Sequence, residues 1–200
     1  MNYLAHIYLS ENRPKVTIGN FIADGNGIRG KSYQKFPKDI QVGILLHRQI
    51  DTFTDAHPTV RQSTKRLHEN YGHYSGIIVD IFYDHFLAKN WLNYSDIALE
   101  DYAQQFYSLL DTNFSDLPER TRYLLPYMKK GNWLLSYASL KGIEKVLIGM
   151  DKRTNNQSQM HLAITDLQTH YDAFETEFTS FFEELQTFSH HKLKTILDTI

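Results

Sequence analysis

Apolar residues in this chain recur at intervals of three and four and almost never alternate, a periodicity that excludes most sheet-based folds. Ile40, Val42, Gly43, Leu46, Ile50 and Phe53 form one such stripe. It is entered through Pro37, whose ring suits a first helical turn, and must close before Pro58, which disfavours helical geometry at His57. The same spacing predicts a helix from Pro58 to Gly72. Another is predicted from about Ser75 to Trp91, with Ile77, Ile78, Ile81, Phe82, Phe86 and Leu87 inward. Ser95 reads as the N-cap of the next, with Asp96, Glu100 and Asp101 near its positive end. Pro126 and Gly131 read as turns around shorter helices over 119–150. A long helix is expected over 158–187, with Leu162, Leu167, Tyr171, Phe174, Phe178 and Phe182 inward. The tail from Ser189 to Ile200 either extends it or packs as a separate short helix. The expected fold is all-α, a single-domain helical bundle over residues 1–200.

At 200 residues, 42% hydrophobic and 22% charged, the chain is long enough for one sizeable core and too apolar for disorder. No run approaches the roughly 20 apolar residues of a membrane span, and the N-terminal segment lacks the basic region of a secretory signal. With no cysteine, disulfides, thiolate metal sites and a Cys nucleophile are excluded together. A cytoplasmic protein with no membrane partner is expected. The net charge of −2 is uneven: residues 1–66 carry ten Lys/Arg against five Asp/Glu, and the remainder carries eleven against eighteen. The basic third can steer an acidic partner, but no run is dense enough for nucleic acid.

Three motif matches fail on physical grounds. Gly25-Asn26-Gly27-Ile28-Arg29-Gly30 has the letters of a dinucleotide fingerprint but follows a helical segment, not a strand, and reads as a glycine-rich turn. His68 and His73 are five apart, which on a helix turns them about 140° from alignment. No Glu-x-x-His pair occurs, against a ferritin-like di-iron bundle. What remains is a set of His and Asp residues in apolar helices. His47 and Asp51 share a helical face, Asp80 and Asp84 repeat that spacing, and His85 follows. His6 lies in an apolar first segment and Asp24 closes the second. Each has a structural explanation alone, as ion pair, core histidine or turn cap. Together they imply a divalent cation, because bare carboxylates are costly to bury. Imidazole and carboxylate ligands suit Mn²⁺, Fe²⁺, Zn²⁺ or Mg²⁺ and metal-assisted phosphoester hydrolysis.

Met1-Asn2-Tyr3-Leu4-Ala5-His6, Gly19-Asn20-Phe21-Ile22-Ala23-Asp24, the run from Val42 to Asp55 and the run from Asp80 to Trp91 resemble the acyl carrier protein phosphodiesterases. Asn132-Trp133-Leu134, Gly149-Met150 and Leu167 to Glu175 look similar too. The resemblance implies an all-helical, HD-domain-like phosphohydrolase with Mn²⁺ as favoured metal and Mg²⁺, Fe²⁺ or Zn²⁺ as alternatives. It also implies release of 4′-phosphopantetheine from the serine of holo acyl carrier protein, an acidic protein substrate. The chain reads Asp84-His85 where HD enzymes carry the pair in the opposite order, so their ligand set does not transfer directly. On this reading Asp24, Asp84 and His85, with His6, bind one or two ions. His47, Asp51 and Asp80 are further ligands or orient them. His47 or His85 is the general acid, Arg48 or Arg29 steadies the phosphate, and Arg29, Lys31, Lys35 and Lys38 receive the carrier. Two other readings stay open: hydrolysis of a nucleotide or another small phosphoester, and a non-catalytic carrier-binding module.

Overall fold

A computed structural model describes residues 1–200. It contains eleven α-helices and no strand: α1 (Tyr3–Tyr8), α2 (Pro14–Ile22), α3 (Lys38–Ala56), α4 (Pro58–Tyr71), α5 (Ser75–Lys89), α6 (Leu99–Thr112), α7 (Glu119–Gly131), α8 (Trp133–Ser136), α9 (Leu140–Arg153), α10 (Ala163–Thr169) and α11 (Tyr171–Thr199). One continuous core draws side chains from every one of them. The all-α expectation holds; kinship with HD-domain folds rests on the resemblance alone.

Two backbone contacts position the rest. α2 and α3 cross at Gly19 and Gly43 with no room for a side chain. A Cβ on Gly19 would stand 2.1 Å from the carbonyl oxygen of Ile40, and one on Gly43 would stand 2.1 Å from that of Val16. α1 spans only 6 residues, too short to hold itself in water. Asn2 accepts from the Tyr3 amide at 2.9 Å, and the buried Asp84 of α5 accepts from the amides of Leu4 (2.8 Å) and Ala5 (3.3 Å). A carboxylate thereby satisfies the unpaired donors at the positive end of the helix. Burial pushes the Asp84 carboxyl up to about 7, with the two amides opposing the rise.

Several local expectations are corrected. α5 is buried almost all round, yet Ile77, expected inward, is 39% exposed where the helix borders a cleft. α6 begins at Leu99 behind Ala98, and Ser95 instead accepts from the Ile97 amide in the preceding turn. Pro126 lies inside α7, on its exposed side, where water can replace the hydrogen bond that proline removes. The long C-terminal helix breaks at His170 and then runs through the tail to Thr199. Leu162, ahead of the break, is 50% exposed.

Gly43→Ala should cost about 3 kcal/mol or more, because its methyl group meets only backbone and the helices must separate. A denaturant midpoint within error of the parent's would contradict this close crossing. Asp84→Ala strands two buried amides and should cost about 2–3 kcal/mol in the same titration.

Candidate metal centre in a polar cleft

The α2–α3 crossing sets what lies one turn beyond it. Asn20 follows Gly19, and His47 and Asp51 follow Gly43 at four-residue steps along one face of α3. α1, anchored by Asp84, presents His6 to the same point. His6 Nε2 stands 3.2 Å and His47 Nε2 3.1 Å from the two carboxylate oxygens of Asp51, and the imidazoles stack with centroids 3.9 Å apart. One ligand atom from each residue lies within 4.8 Å of the others, the spacing of a shared cation.

The protonation pattern of this triad can be read from its neighbours. Asn20 is fully buried, and its amide nitrogen donates to the His6 carbonyl (2.7 Å) and to Ser10 Oγ (3.1 Å). That fixes the amide orientation, so its oxygen accepts from His6 Nδ1 at 2.8 Å. The proton of a neutral His6 therefore sits on Nδ1, leaving a lone pair on Nε2. Burial, with the neighbouring His47, lowers the His6 pKa to about 4, so the ring is neutral near pH 7. His6 Nε2 is buried and makes no well-formed hydrogen bond, although it faces Asp51. An imidazole lone pair directed at a carboxylate is repulsive unless a cation lies between them. Burial alone would raise the Asp51 pKa; the hydrogen bond from His47 leads the effects that outweigh it and hold the carboxyl far below the usual range. A nitrogen–oxygen donor set of this kind fits a divalent transition ion.

The triad opens into a cleft of about 840 Å³. Asp24, Asp55 and Asp80 line it on the triad's side, the last accepting from the amino group of Met1 at 2.9 Å. Burial, partly offset by that amine, raises the Asp80 pKa. α7 and α9 supply cations to the same lining: Arg120, Lys141, Lys145 and Arg153.

The structure thus brings together His6, His47, Asp51, Asp24 and Asp80, and leaves Asp84 and His85 out. Asp84 is committed to the α1 amides. His85 has both ring nitrogens occupied, Nδ1 donating to the Tyr137 carbonyl and Nε2 accepting from the Tyr171 hydroxyl, each at 2.7 Å, so no lone pair remains for a metal or a leaving group. Arg48 is likewise spent. It donates to the carbonyls of Gly30 (2.8 Å) and Ile28 (3.2 Å) and lies over Tyr33, holding the glycine-rich turn that carries φ values of +69°, +66° and +51°. Arg29, Lys31 and Lys35, exposed between α2 and α3, and Lys38, exposed at the start of α3, line no part of the cleft; Lys38 donates to the Ile200 carbonyl. Sequence reasoning missed Asn20 and the four cleft cations. The cations had a signal: residues 119–153 carry eight Lys/Arg against three Asp/Glu, an excess hidden when the acidic remainder is summed as one block.

An all-helical chain whose imidazoles, carboxylates and cations line one cleft has the groups that a hydrolase of phosphate esters needs. Comparison with known proteins narrows this. The family model described as acyl carrier protein phosphodiesterase matches residues 1–185, and the chain belongs to that family. Proteins named acyl carrier protein phosphodiesterase from Escherichia coli O139:H28 (strain E24377A / ETEC) and O9:H4 (strain HS) are 33% identical over 193 residues, 96% of this chain and 99% of theirs. The one from strain O6:H1 (CFT073) is 33% identical over 186 residues, 92% of this chain and 95% of its own. No solved structure matches the chain. No helix is long and apolar enough to cross a membrane.

A depressed pKa means that folded His6 stays neutral while the unfolded chain takes up a proton below about 6.5. Its stabilising effect is whole above that pH and is lost as the pH falls towards 4. Metal-stripped parent protein should therefore lose about 3 kcal/mol more between pH 6.5 and 4 than His6→Gln does. Parallel unfolding curves across that window would contradict the neutral imidazole.

Proposed function

We propose that this chain hydrolyses the phosphodiester joining 4′-phosphopantetheine to the serine of holo acyl carrier protein, using a divalent cation, Mn²⁺ foremost, held by His6, His47 and Asp51. The observation that carries the reading is the unpartnered Nε2 of His6 facing Asp51 beside the stacked His47, in a cleft also lined by cations. When bound, such a cation supplies Lewis acidity to the phosphoryl oxygens and lowers the pKa of water at the site.

The chain's own groups divide the remaining work. Asn20 holds the His6 ring in the tautomer whose Nε2 can bind. Arg120, Lys141, Lys145 and Arg153 balance the negative charge on the phosphoryl oxygens as the serine oxygen departs. Among Asp24, Asp55 and Asp80, a carboxylate takes the proton released by the attacking water and passes it to the serine oxygen as it departs. His47 binds the ion instead of acting as general acid, and His85 serves the fold.

Mass spectrometry of holo carrier protein incubated with this chain and Mn²⁺ should show loss of the phosphopantetheine mass, abolished by chelator and by Asp51→Ala. An unchanged carrier mass with folded, metal-loaded protein would refute the reading. Asn20→Leu should keep the triad but release the His6 ring, weakening Mn²⁺ binding by about 10–100-fold in calorimetry. Parent-like affinity would remove Asn20 from the site.

A further inference from the structure

α7 carries a feature that the fold does not use. Its buried face is Thr121, Leu125 and Met128. Its exposed face carries two large aromatics, Tyr123 at 67% and Tyr127 at 54% exposure, with ring centroids 5.5 Å apart. Arg120 and Lys130 flank them, also exposed. The order Arg120, Tyr123, Tyr127, Lys130 runs in steps of three, four and three, which places all four on one stripe of the helix. That stripe is continuous with the cleft, since Arg120 at its start and Gly131 beyond its end both line it.

We infer that this stripe of α7 is the docking surface for the protein that carries the scissile phosphodiester. The inference rests on the function proposed above and assigns the carrier to a place on this chain. Exposed tyrosines give contact area at little entropic cost and are enriched at the centres of interfaces. Cations at both ends call for carboxylates around a small apolar ridge, and charge complementarity of this kind steers encounter and fixes register. Arg120 then has two contacts: it donates to the Gly25 carbonyl at 2.7 Å, tying α7 to the glycine-rich turn beside Asp24, and it stands between docked partner and cleft. A carrier seated on α7 delivers its modified serine to the cleft mouth. The basic loop of Arg29, Lys31 and Lys35 lines no part of that mouth.

The test separates docking from hydrolysis. Affinity of holo carrier for metal-stripped protein is measured by calorimetry at low and high salt, with turnover of bis(4-nitrophenyl) phosphate by the Mn²⁺-loaded protein as the cleft control. Tyr123→Ser/Tyr127→Ser should weaken carrier binding at least tenfold, and Lys130→Glu should weaken it and flatten its salt dependence. Both should leave turnover of the small diester within twofold. Unchanged carrier affinity in both variants, no measurable binding by the parent, or a fall in small-diester turnover would overturn the assignment. So would a change in oligomeric size in the tyrosine variant, which would mark the stripe as a contact between copies of this chain. A parent that binds the carrier through α7 but never cleaves it would refute the hydrolytic reading and leave the surface standing.

Discussion

The close approach of α2 and α3 at Gly19 and Gly43 is the constraint on which the site depends. With a Cβ at either position the backbones would have to move apart, because each would collide with a carbonyl of the opposite helix. The residues that matter for chemistry lie immediately beside these glycines: Asn20 on one helix, His47 and Asp51 on the other. A shift of an ångström at the crossing would separate Asn20 from the face of α3. His6 would then be left bonded to a helix that had moved away from Asp51. Glycine here shortens a helix–helix distance; it does not supply a turn.

Two carboxylates on apolar helices have opposite fates, decided by what faces them. Asp84 is enclosed and meets two backbone amides, so its charge is used to start a six-residue helix. Asp51 is half-exposed at a cleft and meets two imidazoles, one of which has no proton to offer on that side. The first arrangement is satisfied without any further partner. The second is not, and an unsatisfied buried nitrogen beside a carboxylate is what distinguishes a binding site from a structural ion pair. Asp84 still serves the site at one remove, because its bonds to the Leu4 and Ala5 amides anchor the helix that carries His6.

The helical class and the extents of α3, α4 and α5 were legible because periodicity, proline and glycine all mark them in the chain. The α6 start was misplaced because Ser95 satisfies a turn before the helix, using the same chemistry as a cap. α7 was misread at Pro126 because exposure of that residue, invisible in sequence, decides whether a proline breaks a helix. Among site residues, the pairing of His47 with Asp51 followed from four-residue spacing. Asp84, four residues from Asp80, looked equally apt by the same rule, and His85 follows it directly. What separates them is the filling of their hydrogen-bonding capacity by Leu4, Ala5, Tyr137 and Tyr171, partners between 52 and 86 positions away in the chain. Spacing within one helix contains no information about such contacts.

The cleft also accounts for an uneven charge distribution that composition alone made misleading. The N-terminal segment is basic in total, yet its contribution to the cleft wall is acidic and imidazole-bearing: Asp24, Asp51, Asp55, His6 and His47. The C-terminal two-thirds is acidic in total, yet its contribution from α7 and α9 is cationic. Apart from Asp80, each of these segments thus sends its minority charge to the cleft. A lining that combines a carboxylate–imidazole triad with guanidinium and ammonium groups favours an anionic ligand that could also meet a cation at the triad. A phosphodiester has oxygens for both, whereas a neutral or cationic ligand would leave the lining cations uncompensated.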